Sequence, residues 1–218
     1  RSLPKVGSYS GPSLEAVLAQ QPDVVFAAAD MSAPAWVERL EDLGIPVYVV
    51  YPRSLKGTAR AIREIGQVSG VPEKADQMAR RLEDAAKRIR TQKTPDDSLR
   101  TLVAVMVEPL VVASPRTLVG DLLEIAGGEN IVPAEGGRWP TWGPESLLTS
   151  DPEVIIVSPH PGAKDPEAYF RRFPELQAVR NNRIVTIDPD WLQRPGPRLV
   201  LGMEALADAL KTGERNVR

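Results

Sequence analysis

The chain has 218 residues, enough for one large domain or two small ones, and its 27 basic and 29 acidic residues leave a formal net charge of −2. That balance lacks the basic excess of a nucleic-acid groove, and the absence of cysteine excludes disulfides and thiolate metal sites. No apolar run approaches the roughly 20 residues that span a bilayer, and no secretory signal pattern is present.

Gly11-Pro12 leads into a helix expected over 13–20, proline suiting a first turn whose N–H would be unpaired anyway. Pro22-Asp23 ends it, and the apolar run that follows reads as a buried parallel strand. A helix over 33–43 carries Trp36, Val37, Leu40 and Leu43 on one face and stops at Gly44; Trp36, at helical spacing with Leu40, reads as core. The strand Val47–Val50 completes a βαβ unit. Gly70-Val71-Pro72 divides two helical stretches over 55–92, the second a long charged helix over 73–91 with one thin apolar stripe. With βαβ patterning on both sides, it reads as a strut between two lobes. Then follow strands at 101–107 and 111–113, a helix over 116–126 ending at Gly127-Gly128, a strand at 154–158, a helical stretch over 165–178, a strand at 184–187 and a closing helix over 196–211.

One segment occurs twice, 130 residues apart and without a gap: YSGPSLEAVLAQQPDVVF over 9–26 and WPTWGPESLLTSDPEVII over 139–156. Tyr9 falls on Trp139, Glu15 on Glu145, Leu18 on Leu148, Pro22 on Pro152, and Val24-Val25-Phe26 on Val154-Ile155-Ile156. The repeat predicts two equivalent lobes acting between them. The second copy is preceded by a strand and a helix over 101–126, the first only by residues 1–8. Equivalence of the lobes therefore predicts that a leading strand–helix unit is missing and that the sequence is part of a longer protein.

Two α/β lobes joined by a long helix resemble the helical-backbone, or class III, substrate-binding proteins of ABC importers. The resemblance is carried by Leu3-Pro4-Lys5-Val6-Gly7, Ser13–Leu18 with Gln21–Val25, Gly70–Ala75, Leu122–Asn130, and Asp190-Trp191 followed by Arg194–Arg198. That family serves cobalamin, ferric siderophores and haem, and its cobalamin-binding members resemble this chain most. The resemblance implies two Rossmann-like α/β lobes joined by one long rigid helix: an N-terminal lobe over 1–54 lacking its leading unit, a helical linker over 55–92 and a C-terminal lobe over 93–218. It also implies that Tyr9 and Trp139, each six residues before a glutamate, line the ligand pocket. Trp191 and Arg194 stand at its edge, while Glu15 and Glu145 dock, one per lobe, on arginines of the permease dimer. Ala27-Ala28-Ala29 stand where cobalamin binders can carry a second aromatic.

Taken alone, Glu15 and Glu145 are first-turn acids favoured by the helix dipole by about 0.3–1 kcal/mol each; their matched positions point instead to a spaced docking pair. Tyr9, Trp139, Trp142 and Trp191 lie in Gly/Pro-rich loops, where large aromatics favour flat ligands over core packing. Trp142 reads as rim or permease-facing. Arg194 is suited to an anionic ligand group, whereas Arg198 reads as structural. His160, the single histidine, is a hydrogen-bonded loop residue or a ligand to haem or cobalt, and Tyr9 as an axial haem ligand stays open. One histidine without cysteine argues against bare zinc or manganese. No phosphate loop or nucleophile elbow is present.

The expectation is a non-enzymatic, monomeric solute-binding protein, periplasmic or lipid-anchored outside the cell. It captures cobalamin or a related corrinoid between its lobes, holds no resident cofactor, and delivers its cargo to an ABC permease dimer with ATPase subunits. A ferric siderophore or haem is the alternative cargo, and a carboxylate-using α/β enzyme the alternative of another class.

Overall fold

A computed structural model describes residues 3–8, 11–29, 34–92, 98–159 and 165–211. The chain divides into two compact units, Arg1–Tyr51 and Pro52–Arg218.

In the first unit, strand β1 (Gly7–Ser8) pairs antiparallel with β2 (Gly11–Pro12). Helix α1 (Leu14–Leu18) follows at once, because Ser13 Oγ accepts from the Ala16 N–H at 3.2 Å and caps it. Strand β3 (Val25–Ala28), helix α2 (Pro34–Asp42) and strand β4 (Val47–Val50) form the expected crossover, with β3 and β4 parallel. Leu40 is fully buried and Trp36 half-buried. Among the described residues β4 is the sole strand partner of β3, so the other edge of β3 is free. Phe26 and Val49 remain 39% and 45% exposed on this small sheet.

The second unit opens with helices α3 (Leu55–Val68) and α4 (Pro72–Thr91), clamped together by Arg63, whose Nε meets Asp76 at 2.9 Å and whose Nη1 meets Glu83 at 2.7 Å. The apolar stripe of α4 does not stay at the surface: Leu82, Ala85, Ala86 and Ile89 join Leu55 in the same core as the central strands. Next come β5 (Arg100–Val107), β6 (Leu110–Val112), α5 (Leu118–Ala126), β7 (Glu129–Asn130), β8 (Thr141–Trp142), α6 (Pro144–Ser150) and β9 (Val154–Val157). The chain continues through α7 (Ala168–Arg171), α8 (Gln177–Arg180), β10 (Ile184–Thr186), α9 (Pro189–Leu192) and α10 (Leu199–Leu210). Thr117 caps α5 by accepting from the Gly120 N–H, and Gly127 at φ 97° ends it in the left-handed conformation that favours glycine.

The strands form one sheet in the order β10-β9-β5-β6-β8, with β7 also paired to β5; β10, β9 and β7 run parallel to their neighbours. Side chains alternate across it with period 2. Val103, Val105, Val154 and Ile156 pack toward α4, α5 and α10, while Leu102, Ala104, Ile155 and Val157 face Leu147, Phe170 and Leu176. All four residues of β9 are fully buried, each side chain worth about 1.5–3 kcal/mol relative to exposure.

Two expected helices differ. The stretch 165–178 is not one helix: α7 and α8 are separated around Phe173-Pro174, since proline has no N–H to continue the ladder. The closing helix starts at Leu199 rather than 196, after Pro197 and with Arg198 at its cap.

The repeat is visible in three dimensions. At the offset of 130, β2 coincides with β8, α1 and α6 begin at matching positions, and β3 and β9 agree within one residue. The environments of the two strands differ. β9 lies between β10 and β5, whereas β3 pairs with β4 on one side only. Among the described residues the edge of β3 away from β4 is thus the counterpart of the edge of β9 that β5 fills in the second unit.

Candidate functional site

In open parallel α/β sheets, ligands bind outside the carboxyl ends of the strands. At that end of the second unit, Ala104 of β5 pairs with Val157 of β9, so β5 continues through Val105, Met106 and Val107 past the end of β9, about 10 Å at a strand's rise. Leu110 pairs with both Val107 and Trp142, which puts β8 level with the tip of this β5–β6 hairpin. The end of β9 is therefore a floor, and the hairpin with the start of α6 stands above it.

Above the floor lies the short turn of α9. Asp188 caps it by accepting from the Asp190 N–H at 2.8 Å, and Leu192 is fully buried. Trp191 is half-buried against the core. The Asp190 carboxylate meets Arg194 Nε at 2.7 Å and Arg198 Nη1 at 3.2 Å. One carboxylate shared by two guanidinium groups leaves an excess positive charge, and the Arg194 side chain is 67% exposed. Arg194 is therefore not a bare cation, but its planar fork retains donors for an anionic group. Gly202 of α10 packs directly on this turn: a Cβ there would lie 2.3 Å from the Trp191 carbonyl oxygen.

Glu145 is exposed in the first turn of α6, immediately after β8, at the level of the hairpin tip. The other end of α6 is fixed by Arg100, which donates to the Ser150 carbonyl and, at 3.1 Å, to that of Asp151. The backbone and side-chain amides of Gln177 hold the Asp151 carboxyl below the usual carboxylate range. Trp142 is half-buried against the core on the α6–α8 side of the sheet. Trp139 is 44% exposed and lies lower on this edge: the carbonyls flanking it, of Arg138 and Pro140, accept from Ser114 and Val112.

In the first unit Glu15 is exposed in the first turn of α1. Its own backbone N–H, the Ser13 hydroxyl at 2.9 Å and the charge of Arg39 hold its carboxyl below the usual range. It is thus oriented and ionised at neutral pH. Tyr9 and His160 lie outside the described residues.

The register brings Glu145, Trp142 and the α9 turn with Trp191 and Arg194 to one end of the sheet. Two further residues belong there that carry no sequence pattern of their own. Ser158, fully buried at the end of β9, receives the Gln193 side-chain amide on its carbonyl and, at 3.3 Å, on its hydroxyl. Among the described residues no cluster of His, Asp and Glu is suited to a metal ion, and no helix is long and apolar enough to cross a membrane.

The sequence profile of the periplasmic binding proteins matches residues 1–191. The chain belongs to the periplasmic binding protein family. The family consists of binding proteins rather than enzymes, and this periplasmic binding protein is the substrate-binding type that serves ABC importers. One relative, named vitamin B12-binding protein, from Vibrio parahaemolyticus, is 28% identical over 196 residues, covering 90% of this chain and 71% of its own length. The crystal structure of the periplasmic vitamin B12-binding protein BtuF of Vibrio cholerae matches with a TM-score of 0.80 at 24% identity, over 94% of this chain and 80% of that one. A periplasmic haem-binding protein from Pseudomonas aeruginosa matches at 0.83 with 22% identity, over 98% and 80%. At these identities the two structures establish the class III fold of this periplasmic binding protein.

Proposed function

We propose that the chain captures cobalamin or a related corrinoid outside the cytoplasm and delivers it to an ABC permease dimer with its ATPase subunits. The observation that carries this reading is the relationship along 90% of the chain to a protein named for vitamin B12 binding. The site supports it chemically. A flat macrocycle gains most from aromatic faces and apolar burial, with a few polar groups setting its orientation. The α9 turn offers Trp191 with the Arg194–Asp190 pair beside it, and Trp139, 44% exposed, is a further aromatic of the second unit.

Glu15 and Glu145 have the separate role of docking on permease arginines. Both are exposed first-turn carboxylates on matching helices, and Glu145 stands roughly 10 Å of strand beyond the floor where Ser158 lies. Exposed carboxylates suit an oriented, transient encounter with guanidinium groups. The protein acts as a monomer without catalysis. The test is a competitive titration of the purified protein with cyanocobalamin, haemin and a ferric chelate, read by visible absorbance. Preferential binding of cyanocobalamin supports the reading. Preference for haemin or the ferric chelate transfers the cargo within the family, and binding of none contradicts it.

A further inference from the structure

We infer that Gln193 is a positioning residue for the ligand, a role that rests on the corrinoid reading above. The α9 turn bears the aromatic and cationic groups of the site, yet it is a helix of four residues with little hydrogen bonding of its own to fix its orientation. Its main-chain bonds, Trp191 N–H to the Asp188 carbonyl and Gln193 N–H to the Pro189 carbonyl, close the turn on itself. Among the described residues, its other side-chain bonds stay within 188–198: Asp188 to the Asp190 N–H, and Asp190 to Arg194 and Arg198. None of these ties the turn to the sheet.

Gln193 does. Its amide donates to the carbonyl and hydroxyl of Ser158, which is fully buried directly after β9. The Ser158 N–H in turn donates to the Ala104 carbonyl of β5 at 2.8 Å. A continuous run of bonds thus leads from the central strand to Gln193, the residue directly before Arg194. Leu192 inserts on one side and α10 abuts the Trp191 carbonyl on another, so the glutamine sets how far the turn leans over the strand end. Leucine of similar size keeps the packing and removes the donor. Glutamate keeps the length but, when ionised, sets a carboxylate against the Ser158 carbonyl. When protonated, its O–H donates to that carbonyl again.

The test uses the full chain with Gln193→Leu and Gln193→Glu, titrated with cyanocobalamin at pH 7.5 and pH 5, and with Tm measured alongside. Both variants are expected to bind about tenfold more weakly than wild type at pH 7.5. At pH 5 the glutamate variant should regain affinity relative to wild type, while the leucine variant should not. A purely structural role would appear as a lowered Tm with wild-type affinity and no pH recovery, and would overturn the inference. Wild-type affinity in both variants would overturn it too, leaving the corrinoid reading intact. Failure of wild type to bind would overturn that reading and this inference together.

Discussion

Gly202→Ala probes the packing that holds the α9 turn. The added methyl would lie 2.3 Å from the Trp191 carbonyl oxygen and 2.9 Å from its carbonyl carbon. That is an overlap of about 1 Å with backbone atoms, which cannot swing aside as a side chain would. Overpacking costs about 1–3 kcal/mol, while alanine in place of a helical glycine returns up to about 1 kcal/mol. With rigid backbone as the clashing partner the upper part of that cost applies, about 2–3 kcal/mol, so the net expectation is a loss of about 1–2 kcal/mol, or roughly 2–8 °C in the melting temperature of a unit this size. Urea and thermal unfolding followed by circular dichroism measure it. Gly196→Ala is the control, since a Cβ there meets nothing within 4 Å, and it should stay within about 0.5 kcal/mol of wild type. Because the displaced atoms belong to Trp191, Gly202→Ala should also weaken cyanocobalamin binding. A Gly202→Ala protein as stable as wild type, or more so, would refute the close approach of α10 to this turn.

Arg63→Met should lower Tm at neutral pH by unclamping α3 from α4. Arg63 holds the pKa of Asp76 and Glu83 below their unfolded values of about 3.9 and 4.3. Their contribution is therefore present above those values and lost as pH falls through the lowered ones, so the gap in Tm to wild type should hold down to about pH 4.3 and narrow as the pH falls below it. Asn130→Ala removes a donor to the Ala113 carbonyl and an acceptor for the Val132 N–H, each at 3.0 Å, and should cost about 1–3 kcal/mol in urea unfolding. Glu15→Gln combined with Glu145→Gln should leave cyanocobalamin affinity within about twofold of wild type and impair uptake in permease-containing vesicles; lost ligand binding would move the glutamates into the pocket. Limited proteolysis should cut the first unit before the second. Among the described residues β3 is paired on one side only, and the buried Trp36 Nε1 has no hydrogen-bond partner.

Much of this architecture was legible in the sequence because it rests on periodicity and local signals. The run Val154–Ile156 announced a strand buried on both faces, Gly127 a helix end, and Gly70-Val71-Pro72 the break between α3 and α4. The repeat at offset 130 placed β8 and α6 opposite β2 and α1, although two-residue strands have no periodicity to read. Phe173-Pro174 did carry the signal that splits α7 from α8, and the helical pattern around it obscured it. Trp191 and Arg194 could be read from the sequence as one segment, and the structure places them together at the α9 turn. The pairing of Arg194 with Asp190 was present in the i,i+4 spacing but unread. The bond from Gln193 to Ser158 spans 35 residues and joins two elements that only folding brings together, so no local pattern foretells it.

We propose that ligand contact and permease docking occupy different places at the same end of the sheet. Hydrogen exchange with and without saturating cyanocobalamin tests it most directly. Bound ligand should slow exchange over 188–195, around Trp191 and Arg194, and leave 143–150, the helix of Glu145, unchanged. Slowed exchange over 143–150 with none over 188–195 would contradict it.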